Sequence, residues 1–385
     1  MDIAIIAIAY NREQSLQRLL TSLNAARYPE KDVTLIISID KSDTDIVERA
    51  ADAFVWKHGT KRVKKHGQNL GLLRHIMSQG EELDRYDAVI ILEDDIVVSP
   101  AFYDFVEQCV AKYHDNDDIA GISLYNFPLN YMTELPFEPE KDGHDVFMMN
   151  TAQSWGEVWM RRQWRDFHSW YEQNTEFGPD DAVPPTLFSW TRSWLKYHTR
   201  YCIEKNRYFI YPYYSFSTNC GEAGTHSARA QAHYQTVLQM AIEGPLRLPD
   251  TPAQAVCYDA FFENKALYDA LGLTEETCCL DISGLRTPLE GQRFVLSTRS
   301  LPYKIVRSFG RMLRPVEMNV IENVPGNAIF LYDRLSPALR IRNARSDSFL
   351  YHYRINDMLS VMRGYGPGRL VRDAFSRLIG KITRN

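Results

Sequence analysis

Short apolar runs alternate with amphipathic stretches along the first part of this chain. Residues 4–9 form an isoleucine-rich run, and residues 33–39, 88–92 and 119–124 repeat the pattern. Runs this continuous are typical of parallel strands that are buried on both faces. After the first run, leucines recur at helical spacing, which predicts an amphipathic helix with Asn11 as its N-cap.

This order of elements predicts an open, mostly parallel α/β sheet covered by helices, with ligands bound beyond the carboxyl ends of the strands. Polar side chains stand at three of these ends. They are Tyr10-Asn11-Arg12, Asp40 and Glu93-Asp94-Asp95. We therefore expect three separate segments to line one crevice.

Residues 125–235 are rich in aromatic residues and proline. Six of the seven tryptophans lie there, and we expect most of them to be core: Trp155, Trp159, Trp164, Trp170, Trp190 and Trp194. Rings that stay exposed in a cleft would stack on the C–H faces of sugars.

The net charge of −5 conceals an uneven distribution. Residues 290–385 carry 17 basic and 7 acidic residues, which leaves 27 basic and 42 acidic residues upstream. An acidic body repels phosphates, so we expect no nucleic-acid binding there and assign any anionic contact to the basic C-terminal region.

The sequence shows no apolar stretch long enough to span a membrane and no basic leader, so we expect a cytoplasmic protein. The six cysteines lack the spacing of a metal site or a disulfide framework, and we expect reduced, structural thiols.

The acidic triplet Glu93-Asp94-Asp95 is the strongest chemical signal. Adjacent carboxylates repel one another unless a cation offsets their charge, and hard oxygens favour Mg²⁺ or Mn²⁺, which also bind substrate phosphates. A solvated acidic turn is the alternative. The position at a strand end, in register with Asp40 and Arg12, favours the metal.

These residues resemble those of a known family. Leu92-Glu93-Asp94-Asp95-Ile96, followed by Ser99-Pro100-Ala101-Phe102, is similar to the Glu-Asp-Asp (DXD-type) motif of N-acetylglucosaminyltransferase I and related bacterial polysaccharide glycosyltransferases. Ile8-Ala9-Tyr10-Asn11-Arg12, Ser38-Ile39-Asp40 and Asn69-Leu70-Gly71-Leu72 resemble the nucleotide-binding segments of that family. The resemblance covers about residues 1–235 and implies the GT-A fold, a Rossmann-like α/β fold that binds nucleotide-diphospho-sugars.

The resemblance also implies roles for single residues. Asp40 would bond a uracil-type base edge, Arg12 would face the diphosphate, Glu93 would contact the donor sugar and Asp94 the ribose. The remaining implied contacts are Tyr10, Asn69, Gly71 and Arg74 at the nucleotide and Asp95 and His226 at the metal. The alternatives are structural: Asp40 caps a helix, Arg12 and Arg74 are surface residues, and Asn69-Leu70-Gly71 forms a turn.

The catalytic base is less clearly marked. Ser154-Trp155-Gly156-Glu157-Val158-Trp159 resembles an acceptor-side element of GT-A enzymes, and Glu157, at an expected helix start, is the leading candidate. Residues 188–194 resemble a segment that supplies the base in N-acetylglucosaminyltransferase I, but they lack its acidic residues. Asp180, Asp181 and Glu222 are the alternatives.

We divide the chain into a GT-A catalytic domain, residues 1–240, and a basic accessory region, residues 241–385. The first comprises a nucleotide-sugar half, residues 1–125, and an acceptor half, residues 126–240. Apolar residues beside clustered cations at positions 358–382 fit a helix on an anionic membrane surface, where a lipid-linked acceptor would be found. Packing of that helix on the body is the alternative.

The sequence therefore predicts an inverting glycosyltransferase that depends on Mn²⁺ or Mg²⁺. The favoured donor is a UDP-sugar, and the acceptor is a hydroxyl of a glycan. The product would belong to a bacterial surface polysaccharide or lipopolysaccharide. The enzyme would work at the inner face of the plasma membrane. A sugar-nucleotide nucleotidyltransferase is one alternative, although it needs a Gly-rich basic loop after the first strand. A non-catalytic carbohydrate-binding or assembly protein is another.

Overall fold

The structure is a computed structural model. It describes residues 1–29, 32–176, 178, 180, 182–190, 193–222, 231–339, 346–369 and 371–372, with the backbone alone at residues 346–349.

Strands and helices alternate through the first part of the chain, as the apolar pattern predicts. In chain order they are β1 (Ile3–Ala9), α1 (Glu13–Ala25), β2 (Leu35–Ile39), α2 (Ile46–Ala53), β3 (Lys61–Lys65), α3 (Leu72–Met77), a 3₁₀ helix (Ser78–Asp84), β4 (Ala88–Glu93), β5 (Ile96–Val98), α4 (Phe102–Tyr113) and β6 (Ile119–Ser123). The four predicted strands are confirmed. The N-cap position of α1 is Arg12 instead of Asn11, and no side chain caps the helix.

The middle of the chain adds shorter elements. They are β7 (Leu129–Asn130), β8 (Leu135–Pro136), β9 (Val146–Met149), β10 (Glu157–Met160), α5 (Arg161–Gln173), α6 (Thr186–Ser189), α7 (Leu195–Lys205), β11 (Tyr208–Pro212), β12 (Ser217–Asn219), a 3₁₀ helix (Pro252–Gln254) and β13 (Cys257–Tyr258). The expected helix start at Glu157 is wrong, because Glu157 opens a strand and the helix begins at Arg161.

Nine strands form one sheet in the order β13-β9-β11-β6-β10-β4-β1-β2-β3. Strands β3, β2, β1 and β4 are parallel neighbours. Strand β10 runs antiparallel between β4 and β6. The predicted α/β sheet is therefore confirmed as a mixed sheet whose first half is parallel.

Helices cover both faces of this sheet because side chains of a strand alternate between its faces. Ile5 and Ala7 of β1 pack in one apolar layer with α1, α2 and α4. Ile6 and Ile8 pack in the other layer with α3, α5 and α7. The second layer holds the four buried tryptophans of the aromatic region, which confirms most of that region as core: Trp159, Trp164, Trp170 and Trp194.

The last part of the chain forms a second sheet in the order β14-β15-β17-β16. Its elements are α8 (Ala266–Leu271), β14 (Cys278–Asp281), β15 (Phe294–Ser297), β16 (Tyr303–Phe309), α9 (Met318–Ile321) and β17 (Ile329–Pro337), followed by α10 (Ser346–Tyr353) and α11 (Met358–Tyr365). This sheet has an apolar cluster of its own, with Leu267, Leu280 and Leu331 among its members.

The boundary between the two sheets differs from the predicted one at residue 240. Strand β13 pairs with β9 and is the edge strand of the nine-stranded sheet. The connection before β13 is bound to the same unit, because the Tyr113 hydroxyl donates to the Pro249 carbonyl at 2.8 Å and the Asp145 amide donates to the Arg247 carbonyl at 3.0 Å. The nine-stranded sheet therefore extends to Tyr258, and we propose a division after this residue in place of residue 240.

None of the helices in the described ranges has the length and apolarity that crossing a membrane requires. All six cysteines are free thiols, as predicted.

Candidate active site

The polar residues at the ends of β1, β2 and β4 lie along one edge of the sheet. Strand β1 pairs in parallel with β2 on one side and β4 on the other, and its residue Ala9 lies opposite Ile39 of β2. Tyr10 and Arg12, Asp40, and the acidic triplet follow these strands directly. The structure therefore brings the predicted nucleotide-side residues to adjacent strand ends.

The acidic triplet forms the connection from β4 to β5. Glu93 is the last residue of β4, and Asp94 and Asp95 make the turn. The Arg12 guanidinium is hydrogen-bonded to Asp94 and lies 3.2 Å from Asp95 Oδ2. The Asp95 carbonyl accepts a hydrogen bond from the Cys220 amide at 2.8 Å, so the β12 segment supports the turn.

The triplet holds more negative charge than its surroundings compensate. Burial, together with Asp95 and Asp94, raises the pKa of Glu93 to about 8. Burial also raises the pKa of Asp94 to about 6, although Arg12 opposes this shift. Asp95 Oδ1 is buried and has no hydrogen-bond partner in the described part of the chain. A cation at this turn would satisfy that oxygen and relieve the repulsion.

These residues fit a divalent cation. Mg²⁺ binds through one or two carboxylates and completes its shell with water and phosphate oxygens, and Mn²⁺ also suits oxygen ligands, so neither needs a full protein cage. Among the described residues, no three His, Cys, Asp or Glu side chains converge into a metal-binding group. Asp95 is therefore the ligand that the geometry supports. The other predicted ligand, His226, lies outside the described residues.

Asp40 organises the loop before α3. Its carboxylate accepts hydrogen bonds from the amides of Leu70 at 2.8 Å and Gly71 at 3.0 Å, and from the Lys41 amide at 2.9 Å. Gly71 has φ +75°, a conformation that glycine adopts without strain. Asp40 thus holds the loop that leads into α3 without capping the helix, and it lies at the strand end where the base contact is expected.

The other nucleotide-side candidates are on the surface. Tyr10, Asn69 and Arg74 are exposed, and the Asn69 amide donates to the Lys41 carbonyl at 2.9 Å. His75, next to Arg74, is instead buried and bonded to the Ser38 hydroxyl at 2.8 Å.

Glu157, the leading candidate for the base, is inaccessible. Its side chain has 0% exposure and lies 2.9 Å from His198 Nδ1, and it accepts a hydrogen bond from the Trp159 indole at 2.8 Å. A carboxylate without exposed surface cannot take a proton from an acceptor hydroxyl. The structure therefore contradicts this assignment, because β10 carries Glu157 into the sheet between β4 and β6.

Glu222, an alternative base, is engaged as an anchor. Arg18 of α1 donates two hydrogen bonds to its carboxylate, at 2.8 and 2.7 Å, and the Ser15 hydroxyl adds a third at 2.6 Å. These hydrogen bonds lower the pKa of Glu222 to about 2. Such a carboxylate is a weak base, and it ties the segment after β12 to α1.

Of the other acidic candidates, Asp180 is exposed, and its side chain accepts from the Ala182 amide at 2.9 Å. Asp181 lies outside the described residues.

Three aromatic rings cluster next to β12. Trp155 is half-buried and contacts Tyr125 at 4.9 Å and Tyr234 at 5.0 Å between ring centroids. Its carbonyl accepts from the Ser217 hydroxyl, and Ser217 belongs to β12, which pairs with β5. Trp155 was singled out in the sequence, whereas Tyr234 carried no pattern that could have marked it.

The Arg18–Glu222 anchor was also missed. Arg18 lies on the polar side of α1, and the helical spacing in that segment marks only its leucines. The partner of Arg18, Glu222, is more than 200 positions further along the chain. No local pattern connects the two residues.

Comparison with known proteins agrees with this geometry. Residues 4–155 match the family model described as glycosyl transferase family 2. No curated protein matches the chain.

Among solved structures, the chain is similar to residues 1–349 of TarS from S. aureus in complex with UDP-GlcNAc. The two sequences are 11% identical, and the TM-score is 0.38. The similarity covers 56% of this chain and 58% of the TarS chain. The chain is also similar to the mannosyltransferase PcManGT from Pyrobaculum calidifontis in complex with GDP-Man and Mn²⁺. The two sequences are 12% identical, and the TM-score is 0.35. This similarity covers 55% of this chain and 56% of the PcManGT chain. The chain thus spans less than two thirds of either structure. The match of residues 4–155 to the model of glycosyl transferase family 2 agrees with the predicted resemblance, and these residues carry the strands β1, β2 and β4.

Proposed function

We propose that the chain is a metal-dependent glycosyltransferase that transfers a sugar from a nucleotide-diphosphate sugar, with UDP as the favoured nucleotide, to a hydroxyl of a glycan acceptor. The observation that carries this proposal is the buried Asp95 Oδ1, which has no hydrogen-bond partner among the described residues, in the turn with Glu93 and Asp94 that Arg12 contacts. The match of residues 4–155 to glycosyl transferase family 2 supports the same reaction class.

The nucleotide side follows from the strand ends. Asp95 would hold Mn²⁺ or Mg²⁺, which when bound offsets the charge that develops on the departing diphosphate. Arg12, beside Asp94 and Asp95, would turn its guanidinium to the same phosphates. The Asp40 carboxylate orders the loop that contains Asn69 and Gly71. Its remaining acceptor capacity would bind the hydrogen-bonding edge of the nucleotide base. Glu93 and Asp94 remain our proposed contacts to donor sugar and ribose.

Inversion requires one carboxylate that removes the acceptor proton as the hydroxyl attacks the anomeric carbon. Among the predicted bases, Glu157 is excluded by burial and Glu222 is weakened by its ion pair with Arg18. Asp180, which is exposed, and Asp181 therefore remain the proposed bases. Trp155 and Tyr234, next to β12, would provide the ring surface on which an acceptor sugar stacks.

The C-terminal region supports a role near membranes. In α11, Met358, Leu359 and Met362 are exposed, and Arg363 shares the helix. Exposed apolar side chains with nearby cations suit the surface of an anionic bilayer. We propose that the enzyme extends a lipid-linked glycan of a bacterial surface polysaccharide or lipopolysaccharide at the inner face of the plasma membrane.

Donor binding and hydrolysis test the proposal without an acceptor. The full chain is mixed with Mn²⁺ and a panel of UDP- and GDP-sugars, and thermal stabilisation and release of free nucleotide diphosphate are measured. We expect Asp95→Ala to abolish Mn²⁺-dependent stabilisation and to reduce hydrolysis by about 100-fold or more. Asp84→Ala, at an exposed aspartate, is the matched control and should leave both unchanged.

Two outcomes would contradict the proposal. Equal Mn²⁺-dependent stabilisation of Asp95→Ala and the unmodified chain would exclude the metal site. Pyrophosphate-dependent release of nucleoside triphosphate, in place of free nucleotide diphosphate, would identify a nucleotidyltransferase.

A further inference from the structure

A cavity with room for several waters lies where the β7–β8 hairpin meets the C-terminal sheet. Its walls come from the hairpin, the segment after β13, the loops around residues 282–283 and 314–317, and α10. The acidic turn contributes no residue to it. The cavity is therefore separate from the candidate active site.

Two buried carboxyl groups line this cavity. Glu263 is 2% exposed and accepts hydrogen bonds from the amide, at 2.9 Å, and the hydroxyl of Ser283. Glu317 is 6% exposed and accepts from the Tyr258 hydroxyl. Burial raises the pKa of Glu263 to about 8 and that of Glu317 to about 7. A protonated carboxyl group both donates and accepts hydrogen bonds, as sugar hydroxyls do.

Aromatic side chains connect the cavity to the acceptor half. Phe137 and Phe262 line it, with their ring centroids 4.9 Å apart. Phe262 contacts Tyr131 at 5.4 Å, and Tyr131 contacts the half-buried Trp190 at 5.5 Å. Phe262 has φ +65°, an uncommon conformation for a bulky residue, so the surrounding structure fixes its position.

The charges around the cavity favour a neutral ligand. Arg314 lines it, lies 3.9 Å from Glu138 and stacks over the Tyr351 ring at 4.2 Å. A cation would meet Arg314, whereas an anion would meet Glu138, which already pairs with Arg314. A polar cavity of this size also has room for several waters, so water is the competing occupant.

We propose that this cavity binds one neutral pyranose unit of a glycan, with Glu263 and Glu317 bonding its hydroxyls and Phe137 and Phe262 packing on its C–H face. We assign this pyranose to the acceptor, at a distance from the reacting hydroxyl, and this assignment rests on the proposed glycosyltransferase function. The binding of a pyranose in the cavity does not depend on that function.

Saturation-transfer NMR on the full chain tests the inference directly. The probes are neutral methyl pyranosides (gluco, galacto, manno, rhamno and N-acetylglucosamine) at millimolar concentration, without nucleotide or metal. We expect at least one to bind. Thr133→Trp, which fills the cavity from the hairpin, should abolish the signal, and Glu317→Leu, which is similar in size but removes both hydrogen-bonding oxygens, should weaken binding by roughly three- to tenfold.

Asp95→Ala separates this inference from the proposed function, because it alters the metal turn and leaves the cavity intact. Pyranoside binding that persists in Asp95→Ala and disappears in Thr133→Trp supports the cavity, whatever the donor assay shows. Binding that is lost in Asp95→Ala, or unchanged in both cavity variants, overturns it. If folded protein binds none of the probes, the cavity holds water only and the inference is wrong.

Discussion

His75 shows how burial fixes the protonation of a single residue near the strand ends. Its ring is 2% exposed and bonded to Ser38, and burial lowers its pKa to about 4. The unfolded chain binds a proton at His75 near pH 6.5, whereas the folded chain does not until about pH 4. Stability is therefore lost as the pH falls from 6.5 towards 4.

We predict that His75→Gln reduces this loss by up to about 3 kcal/mol. Urea unfolding at a series of pH values from 7 to 4 measures it. The variant carries a constant offset from altered packing, so only the slope is compared. Parallel curves for His75→Gln and the unmodified chain would contradict the prediction.

Glu157 marks the limit of sequence reasoning at the residue scale. The strand-end residues Arg12, Asp40 and Asp95 were predictable because each directly follows an apolar run. Glu157 of strand β10 is buried against His198, which comes from α7. A contact between residues this far apart leaves no local pattern, so a glutamate beside a Trp-Gly pair was interpreted as an exposed base.

At the scale of elements, the segment after β12 is tied to α1 by Glu222, Arg18 and Ser15. The roles of anchor and of catalytic base predict different losses of activity when Glu222 and Arg18 are replaced. If Glu222 is an anchor, Glu222→Ala and Arg18→Ala each lower kcat/KM for donor hydrolysis by roughly three- to tenfold, and the double variant loses no more, because both remove the same interaction.

A double-mutant cycle on donor hydrolysis and on glycosyl transfer, once an acceptor is known, distinguishes the two roles. A base would show a loss of about 100-fold or more in transfer for Glu222→Ala alone, with Arg18→Ala nearly unaffected. Additive losses in the cycle would contradict the anchor.

The elements themselves were predicted unevenly. Strands β1, β2, β4 and β6 and helix α1 follow from the hydrophobic pattern, because each is either buried on both faces or amphipathic. Strands β9, β10 and β13 have four residues or fewer, which is too short for a period to be recognised. Their places in the sheet depend on long-range pairing, which a single sequence does not reveal.

For the whole molecule, the position of β13 makes a prediction about truncation. A chain ending at residue 240 lacks β13 and exposes β9, together with the partners of the buried Tyr258 and Phe262. We expect this fragment to aggregate or to lose its cooperative thermal transition, because a bare edge strand and apolar surface are uncovered. Circular dichroism and size-exclusion chromatography measure this, with the full chain as control. A monomeric fragment that melts cooperatively would contradict it.

The uneven charge makes a second prediction at this scale. Residues 290–385 carry most of the excess positive charge, and α11 exposes apolar side chains. We expect the full chain to bind vesicles containing anionic lipid at low salt and to dissociate as salt rises. A chain ending at residue 357 should bind at least tenfold more weakly, as measured by co-sedimentation. Equal binding by both chains would assign α11 a purely structural role.

The insertion of β10 between β4 and β6 also governs the order of assembly during synthesis. Strands β1 to β4 come from one continuous stretch, so their parallel pairing is complete when residue 93 is available. Strand β6 emerges next, but its neighbour β10 starts only at Glu157, and β11 starts at Tyr208. On a ribosome, the second half of the sheet must therefore wait while its first strand remains unpaired, and this interval is where a chaperone would be needed most.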